Sequence, residues 1–167
     1  LDGARLPPDL MAQLDDSKKL SPAKREHLFE QLCQSSARIG VGLASVEEID
    51  RLNILQATFL AMGRAVENLG VRPDLALVDG NRPPQLSCPV KTVIKGDGKS
   101  LSIAAASIIA KVTRDRIMAA LAEEFPGYGW ERNSGYGSAE HQAALDRLGV
   151  TPHHRRSFAP IRALLAD

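Results

Sequence analysis

Apolar residues recur at spacings of three and four over Ile49, Leu52, Leu55, Phe59, Met62, Val66 and Leu69. Such spacing places them along one stripe of a helix. In front of the stripe, Ser45-Val46-Glu47-Glu48 has the spacing of a capping box. There the serine hydroxyl and the glutamate carboxylate each take a backbone N–H that the first turn leaves unpaired. A break is expected near Asn53, and Gly70 ends the run. A second helix opens at Ser21-Pro22, with serine as N-cap and proline at the first helical position, and runs to about Ser35. It is expected to bury Leu28, Phe29 and Leu32. Residues 101–124 read as a third helix, whose small-residue face of Ala104, Ala105, Ala106, Ser107 and Ala110 permits close packing. Ser138 caps a further helix that stops at Gly149, and a last one lies near 159–166.

The strand signals are fewer. ARIGVGLA, residues 37–44, alternates and reads as a strand. Leu75–Val78 is a short apolar run that can be buried on both faces, and it ends on Asp79 before the turn pair Gly80-Asn81. A second run beginning at Val90 ends on Asp97. The order strand, helix, strand, strand, helix, helix predicts a layered α/β or α+β domain. Three strands are few for so many helices to cover, so the pattern implies further pairing that it does not contain.

A carboxylate at the end of a buried strand is costly unless it is paired or binds a metal. Open α/β sheets form their sites at the carboxyl ends of the strands, where Asp79 and Asp97 both fall. Two acids on adjacent strand ends can hold Mg²⁺ or Mn²⁺, which take oxygen ligands. The plainer reading of Asp79 is that it starts a turn, since Asp-Gly is a common turn pair.

Composition narrows the setting. The 167 residues suit one compact domain, and 44% hydrophobic and 25% charged residues are those of an ordinary globule. No apolar run reaches the roughly 18 residues a membrane helix needs. Cys33 and Cys88 are far apart and form no CxxC pair, so a reduced, cytoplasmic setting is the default. The net charge of +1 does not announce nucleic acid, but DDSKKLSPAKR (15–25), KVTRDR (111–116) and HHRR (153–156) are local basic clusters. Each alone would read as a solvated face. The four histidines show no ligand spacing, and His153 and His154, being adjacent, cannot point the same way.

Seven segments then fall in order: DSKKLS (16–21), NILQATFLAM (53–62), LVDGN (77–81), KGD (95–97), IAAASIIAKVTRD (103–115), SGYGSAEH (134–141) and HHRRSF (153–158). Together they closely resemble bacterial ribonuclease HII over essentially the whole chain. The resemblance implies a single ribonuclease H-like domain over 1–167, a mixed sheet flanked by helices, with a helical substrate-binding region at about 125–167. It also implies an endonuclease that cuts RNA in RNA–DNA hybrids and cuts 5′ of single ribonucleotides in duplex DNA, by two-metal hydrolysis with Mg²⁺ or Mn²⁺. Of the family's four acids, two fall on Asp79 and Asp97. The other two form an Asp-Glu pair in a segment reading Asp-Glu-x-Gly-Arg-Gly, which the 167 residues do not contain; Asp2-Gly3-Ala4-Arg5 is not a substitute. The first strand and most of the second are therefore expected to lie ahead of Leu1, and this stretch alone is expected to be inactive. Ribonuclease HIII, a sister group with similar motifs, is the nearest enzyme alternative. A non-catalytic hybrid-binding remnant is the alternative from another class.

By the same resemblance, Tyr136 packs against the deoxyribose just past the ribonucleotide. Its place between glycines also favours exposure over a core role, whereas Tyr128 and Trp130 read as core or helix support. Lys18 is expected near a backbone phosphate or the metal site, against the plainer reading of a solvated lysine. Ser107 and Lys111, four apart, share a helix face that would approach the nucleic-acid backbone; close packing and a surface charge are the equal alternatives. Arg155 and Arg156 either contact phosphates or tie the C-terminal helix to acids of the core. A monomer with no protein partner is expected.

Overall fold

The computed structural model describes residues 6–166, which form two compact units. The first takes in residues 6–43 and 58–112, and the second residues 44–57 and 113–166.

In the first unit, α1 (Pro8–Met11) precedes α2 (Pro22–Gln34). Ser21 caps α2 as expected, its hydroxyl accepting the Lys24 N–H at 3.2 Å. The core joins Leu10 and Leu14 to Leu28 and Leu32 of α2 and to Ala105, Ile108 and Val112 of α5 (Leu101–Glu124). Leu28, Leu32 and Ile108 are wholly buried, and each such side chain contributes roughly 1.5–3 kcal/mol. The small-residue face of α5 is only half used: Ala104 and Ala105 are buried, while Ala106 and Ala110 are exposed.

Residues 37–44 do not form the expected strand. Their alternation is real, since Ala37, Ile39 and Val41 pack on the core. The intervening glycines instead lie against α4 (Ile54–Glu67), where a Cβ at Gly40 or Gly42 would fall 2.1 Å from the Ala65 carbonyl oxygen or 2.0 Å from that of Ala61. The Val41 and Leu43 carbonyls are met by side chains rather than by a neighbouring strand: Asn68 Nδ2 at 2.8 Å and Arg64 at 2.7 Å. Helix packing has taken over the role of a β-ladder.

Among the described residues the sheet is one parallel pair, β1 (Ala76–Asp79) and β2 (Val90–Val93), in register from Ala76–Val90 to Asp79–Val93. β1 buries one face rather than two: Val78 is buried, while Leu75, Leu77 and Asp79 share the exposed row. β2 stops at Val93, so Asp97 is not its last residue but lies in the one-turn 3-10 helix Gly96–Gly98.

In the second unit, α3 (Val46–Leu52) carries the full capping box, with the Ser45 N–H given to Glu48 at 2.9 Å and the Glu48 N–H to Ser45 Oγ at 3.2 Å. The expected break falls at Asn53, whose φ is 74° and whose Oδ1 starts α4 by accepting the Leu55 and Gln56 N–H groups at 3.0 and 3.2 Å. α6 (Trp130–Asn133), α7 (Ala139–Leu148) and α8 (Ala159–Leu164) follow. Ser138 caps α7, and Gly149 closes it at a φ of 77°. The core of this unit is Tyr128, Trp130, Ala144, Leu145 and Ile161. Among the described residues no helix is long and apolar enough to cross a membrane.

Candidate active site

The register of the parallel pair sets Asp79 opposite Val93, and the chain then turns through Lys95, a residue in the left-handed region (φ 56°, ψ 48°), into Gly96. Asp79 Oδ1 accepts the Gly96 N–H at 2.8 Å. The strand-end acid is thereby bonded to the residue immediately before Asp97. Gly96 is buried, and a Cβ there would meet Ile103 Cδ1 at 2.5 Å and Asp79 Oδ1 at 3.4 Å. The glycine of the KGD segment thus leaves room for Ile103 against the turn that bonds Asp79. Asp97 is itself fixed by the Gly98 N–H, which it accepts at 3.0 Å.

Lys18 Nζ lies 3.6 Å from Asp97 Oδ2, with the lysine side chain 81% exposed and that of Asp97 14%. An ion pair this exposed on one side is worth only about 0–1 kcal/mol. Lys18 therefore contributes little to stability and is free to serve an incoming anion. Lys18 thus lies beside Asp97, and Asp79 is bonded to the residue before it. Ser107 and Lys111 are half-buried on α5, and the Ser107 hydroxyl donates to the Ala104 carbonyl at 2.8 Å. That bond is local to the helix and favours a packing role for Ser107.

Asp79 and Asp97 suit a hard divalent ion. Both offer carboxylate oxygens, and the Lys18 ammonium beside Asp97 shows that the position attracts positive charge. Magnesium-type ions need only one or two protein carboxylates, the remaining positions going to water and phosphate. Among the described residues no group of three or more His, Cys, Asp or Glu could hold a metal.

The second unit holds Tyr136 and Arg155. Tyr136 is 59% exposed, yet its loop is clamped. The Tyr136 N–H is given to Asn133 O at 2.9 Å, and the Ser134 hydroxyl donates to Asp115 at 2.8 Å. Arg114 donates to the Ser134 carbonyl at 2.9 Å and sits 5.6 Å from the Tyr136 ring centre. A fixed, exposed ring has the form a stacking contact needs. Tyr128 and Trp130 are buried, as expected of support residues, with rings stacked at 5.0 Å. The Arg155 guanidinium lies 4.8 Å from the Phe158 ring centre. This segment is tied to an acid by two backbone N–H groups and a serine hydroxyl, with the Arg155 charge acting on the same carboxylate: Asp50 accepts the Arg156 N–H at 2.9 Å, the Ser157 N–H at 3.0 Å and the Ser157 hydroxyl at 2.6 Å. Burial pushes the Asp50 carboxyl up, but those bonds outweigh it and hold it below the usual range.

The histidines are where the sequence reading missed most. His141 and His154, which show no ligand spacing, are both buried and lie with their Nε2 atoms 3.1 Å apart. His153 points elsewhere, edge-on to Phe125 at 5.2 Å. The only signal was the adjacent pair, whose two members must face opposite ways. Burial, then the neighbouring His141, lowers His154 from its usual 6.5 to about 4. The unfolded chain takes up a proton near pH 6.5 that the fold refuses until about pH 4, so stability is expected to fall progressively across that window. Thermal melts from pH 7 to 4 would show it. His154→Asn, which can still accept the Thr151 N–H but does not titrate, should flatten the slope; an unchanged slope would contradict the assignment.

A ribonuclease HII family model matches residues 10–161. The chain belongs to the ribonuclease HII family. Ribonuclease HII of Rhodospirillum rubrum is 65% identical over 167 residues, covering 99% of this chain and 77% of that protein. Ribonuclease HII of Paramagnetospirillum magneticum is 66% identical over 161 residues, covering 96% and 80% respectively. The fold agrees with the crystal structure of ribonuclease H2 from Pyrococcus horikoshii, at 28% identity and a TM-score of 0.70, over 93% of this chain and 81% of that one. The ribonuclease H-like α/β class expected from the motifs is therefore the class observed.

Proposed function

We propose that this ribonuclease HII chain cuts the RNA strand of RNA–DNA hybrids and cuts 5′ of single ribonucleotides in duplex DNA, with Asp79 and Asp97 in the ligand set of two divalent ions, Mg²⁺ or Mn²⁺. The observation that carries the reading is the Asp79–Gly96 bond, which sets two carboxylates on adjoining segments beside one exposed lysine. When bound, such ions lower the pKa of a water and neutralise charge on the scissile phosphate. The chain's own residues do the rest. Gly96 and Gly98 orient the carboxylates through their N–H groups. Lys18 can exchange Asp97 for a phosphate at little cost, because its ion pair is weak. In the second unit, the Tyr136 ring is the surface against which the sugar past the ribonucleotide would pack, and Arg155 would neutralise a backbone phosphate; in the first unit, Lys111 would do the same.

The test is cleavage, by the full-length protein, of a hybrid carrying an end-labelled RNA strand. Cutting should appear with Mg²⁺ or Mn²⁺, vanish in EDTA and return when metal is restored. Cutting that persists in EDTA would refute the metal role of the two acids.

A further inference from the structure

The hydrogen bonds around His141 fix both imidazoles without any choice of tautomer. The Tyr136 carbonyl oxygen, 3.0 Å from His141 Nδ1, can only accept, so Nδ1 carries the proton. His141 Nε2 is then an acceptor, and it faces the Trp130 indole N–H at 3.3 Å. At the other end, the Thr151 backbone N–H, 3.0 Å from His154 Nδ1, can only donate, so that nitrogen is bare. His154 therefore carries its proton on Nε2 and donates it to His141 Nε2 at 3.1 Å. The line runs from the Thr151 N–H through two neutral rings to the Tyr136 carbonyl, with the single lone pair of His141 Nε2 shared between the Trp130 and His154 N–H groups. The charged or titratable groups nearby are turned away or uncharged: Tyr128 packs its ring against both imidazoles, His153 faces Phe125, and Glu140 of α7 pairs with Arg132.

We infer that His141 is a positioning residue for substrate: its Nδ1–H, oriented by Trp130 and His154, holds the backbone of Tyr136 and so sets the ring that meets the nucleic acid. The Tyr136 carbonyl also accepts the Ser138 N–H at 2.8 Å, and Ser138 in turn accepts the His141 N–H at 3.2 Å. The loop is thus closed onto the first turn of α7 from both sides, and the histidine bond reaches it from the buried core. A tyrosine whose backbone is fixed loses little freedom on stacking, and that lowers the cost of binding. The inference rests on the proposed substrate contact of Tyr136.

Two substitutions separate the two faces of the ring. His141→Asn places an amide N–H where Nδ1–H was and gives up the acceptor toward Trp130. His141→Gln places an amide oxygen where Nε2 was and gives up the donor toward Tyr136. With the full-length protein, a duplex carrying one ribonucleotide and an assay temperature below both melting points, His141→Gln should raise KM roughly tenfold, as loss of one stacking contact does. Its kcat should stay within about twofold, and His141→Asn should behave like the parent in both constants. In a Tyr136→Ala background, His141→Gln should add less than about twofold, because residues acting through one another are not additive. Equal losses for Asn and Gln, or a Gln effect that persists in full without Tyr136, would overturn the inference and leave the Tyr136 contact standing. A Tyr136→Ala variant with unchanged KM would overturn the contact itself and the inference with it.

Discussion

Asp79→Asn should lower the rate of RNA-strand cleavage by more than about 100-fold while leaving duplex binding and folding nearly unchanged. Replacing a group that merely supports a metal ligand costs about 10–100-fold, and Asp79 is proposed as a ligand itself. The substitution is well matched to the structure. The asparagine oxygen can still accept the Gly96 N–H that Asp79 accepts at 2.8 Å, so the turn carrying Asp97 should stay in place. What is lost is negative charge and one hard oxygen donor. Single-turnover cleavage should collapse, duplex affinity by fluorescence anisotropy should hold, and the melting temperature should move little. A variant that cuts at the parental rate would remove Asp79 from the chemistry. One that unfolds would show that its charge, and not its hydrogen bond, supports the turn.

Trp130→Ala should have the largest effect on stability, of about 3–5 kcal/mol, the usual cost of emptying a buried tryptophan site. Trp130 is 2% exposed, stacks on Tyr128 at 5.0 Å and lies at 6.1 Å from Phe125. Its indole N–H meets His141, so the substitution also removes a donor from the histidine line. The core of the second unit is small and this ring is its largest member. A loss of that size is a large share of the roughly 5–15 kcal/mol that holds a domain together. Denaturant unfolding followed by far-UV circular dichroism should show an early transition for the second unit, or a lowered midpoint overall. A midpoint within about 0.5 kcal/mol of the parent would contradict the packing described.

The helices were legible because their start and stop signals are local. Ser21-Pro22, the Ser45–Glu48 box, Asn53, Ser138 and Gly149 each act on backbone groups within four residues, and each does so in the structure. The strands were less legible because pairing is decided at a distance. Alternation at 37–44 correctly separates core-facing from glycine positions, but it cannot say that α4 rather than a strand will occupy the glycine side. The acids were legible as a pair. Their geometry was not, since Asp97 reaches the site through Gly96 and a left-handed Lys95 and not as the end of a strand. The motifs led to Tyr136, but the buried line behind it joins residues from α6, α7 and the segment at 151–154, a conjunction that no periodicity encodes.

The most direct test of the account is to map the cut on a DNA duplex with one embedded ribonucleotide, in Mg²⁺, by resolving the products of the full-length protein at single-nucleotide length. A single cut on the 5′ side of the ribonucleotide, leaving a 3′-hydroxyl and a 5′-phosphate, is the expected result. Cutting on the 3′ side, or a duplex left intact while an RNA–DNA hybrid is degraded, would contradict the proposed recognition of the single ribonucleotide.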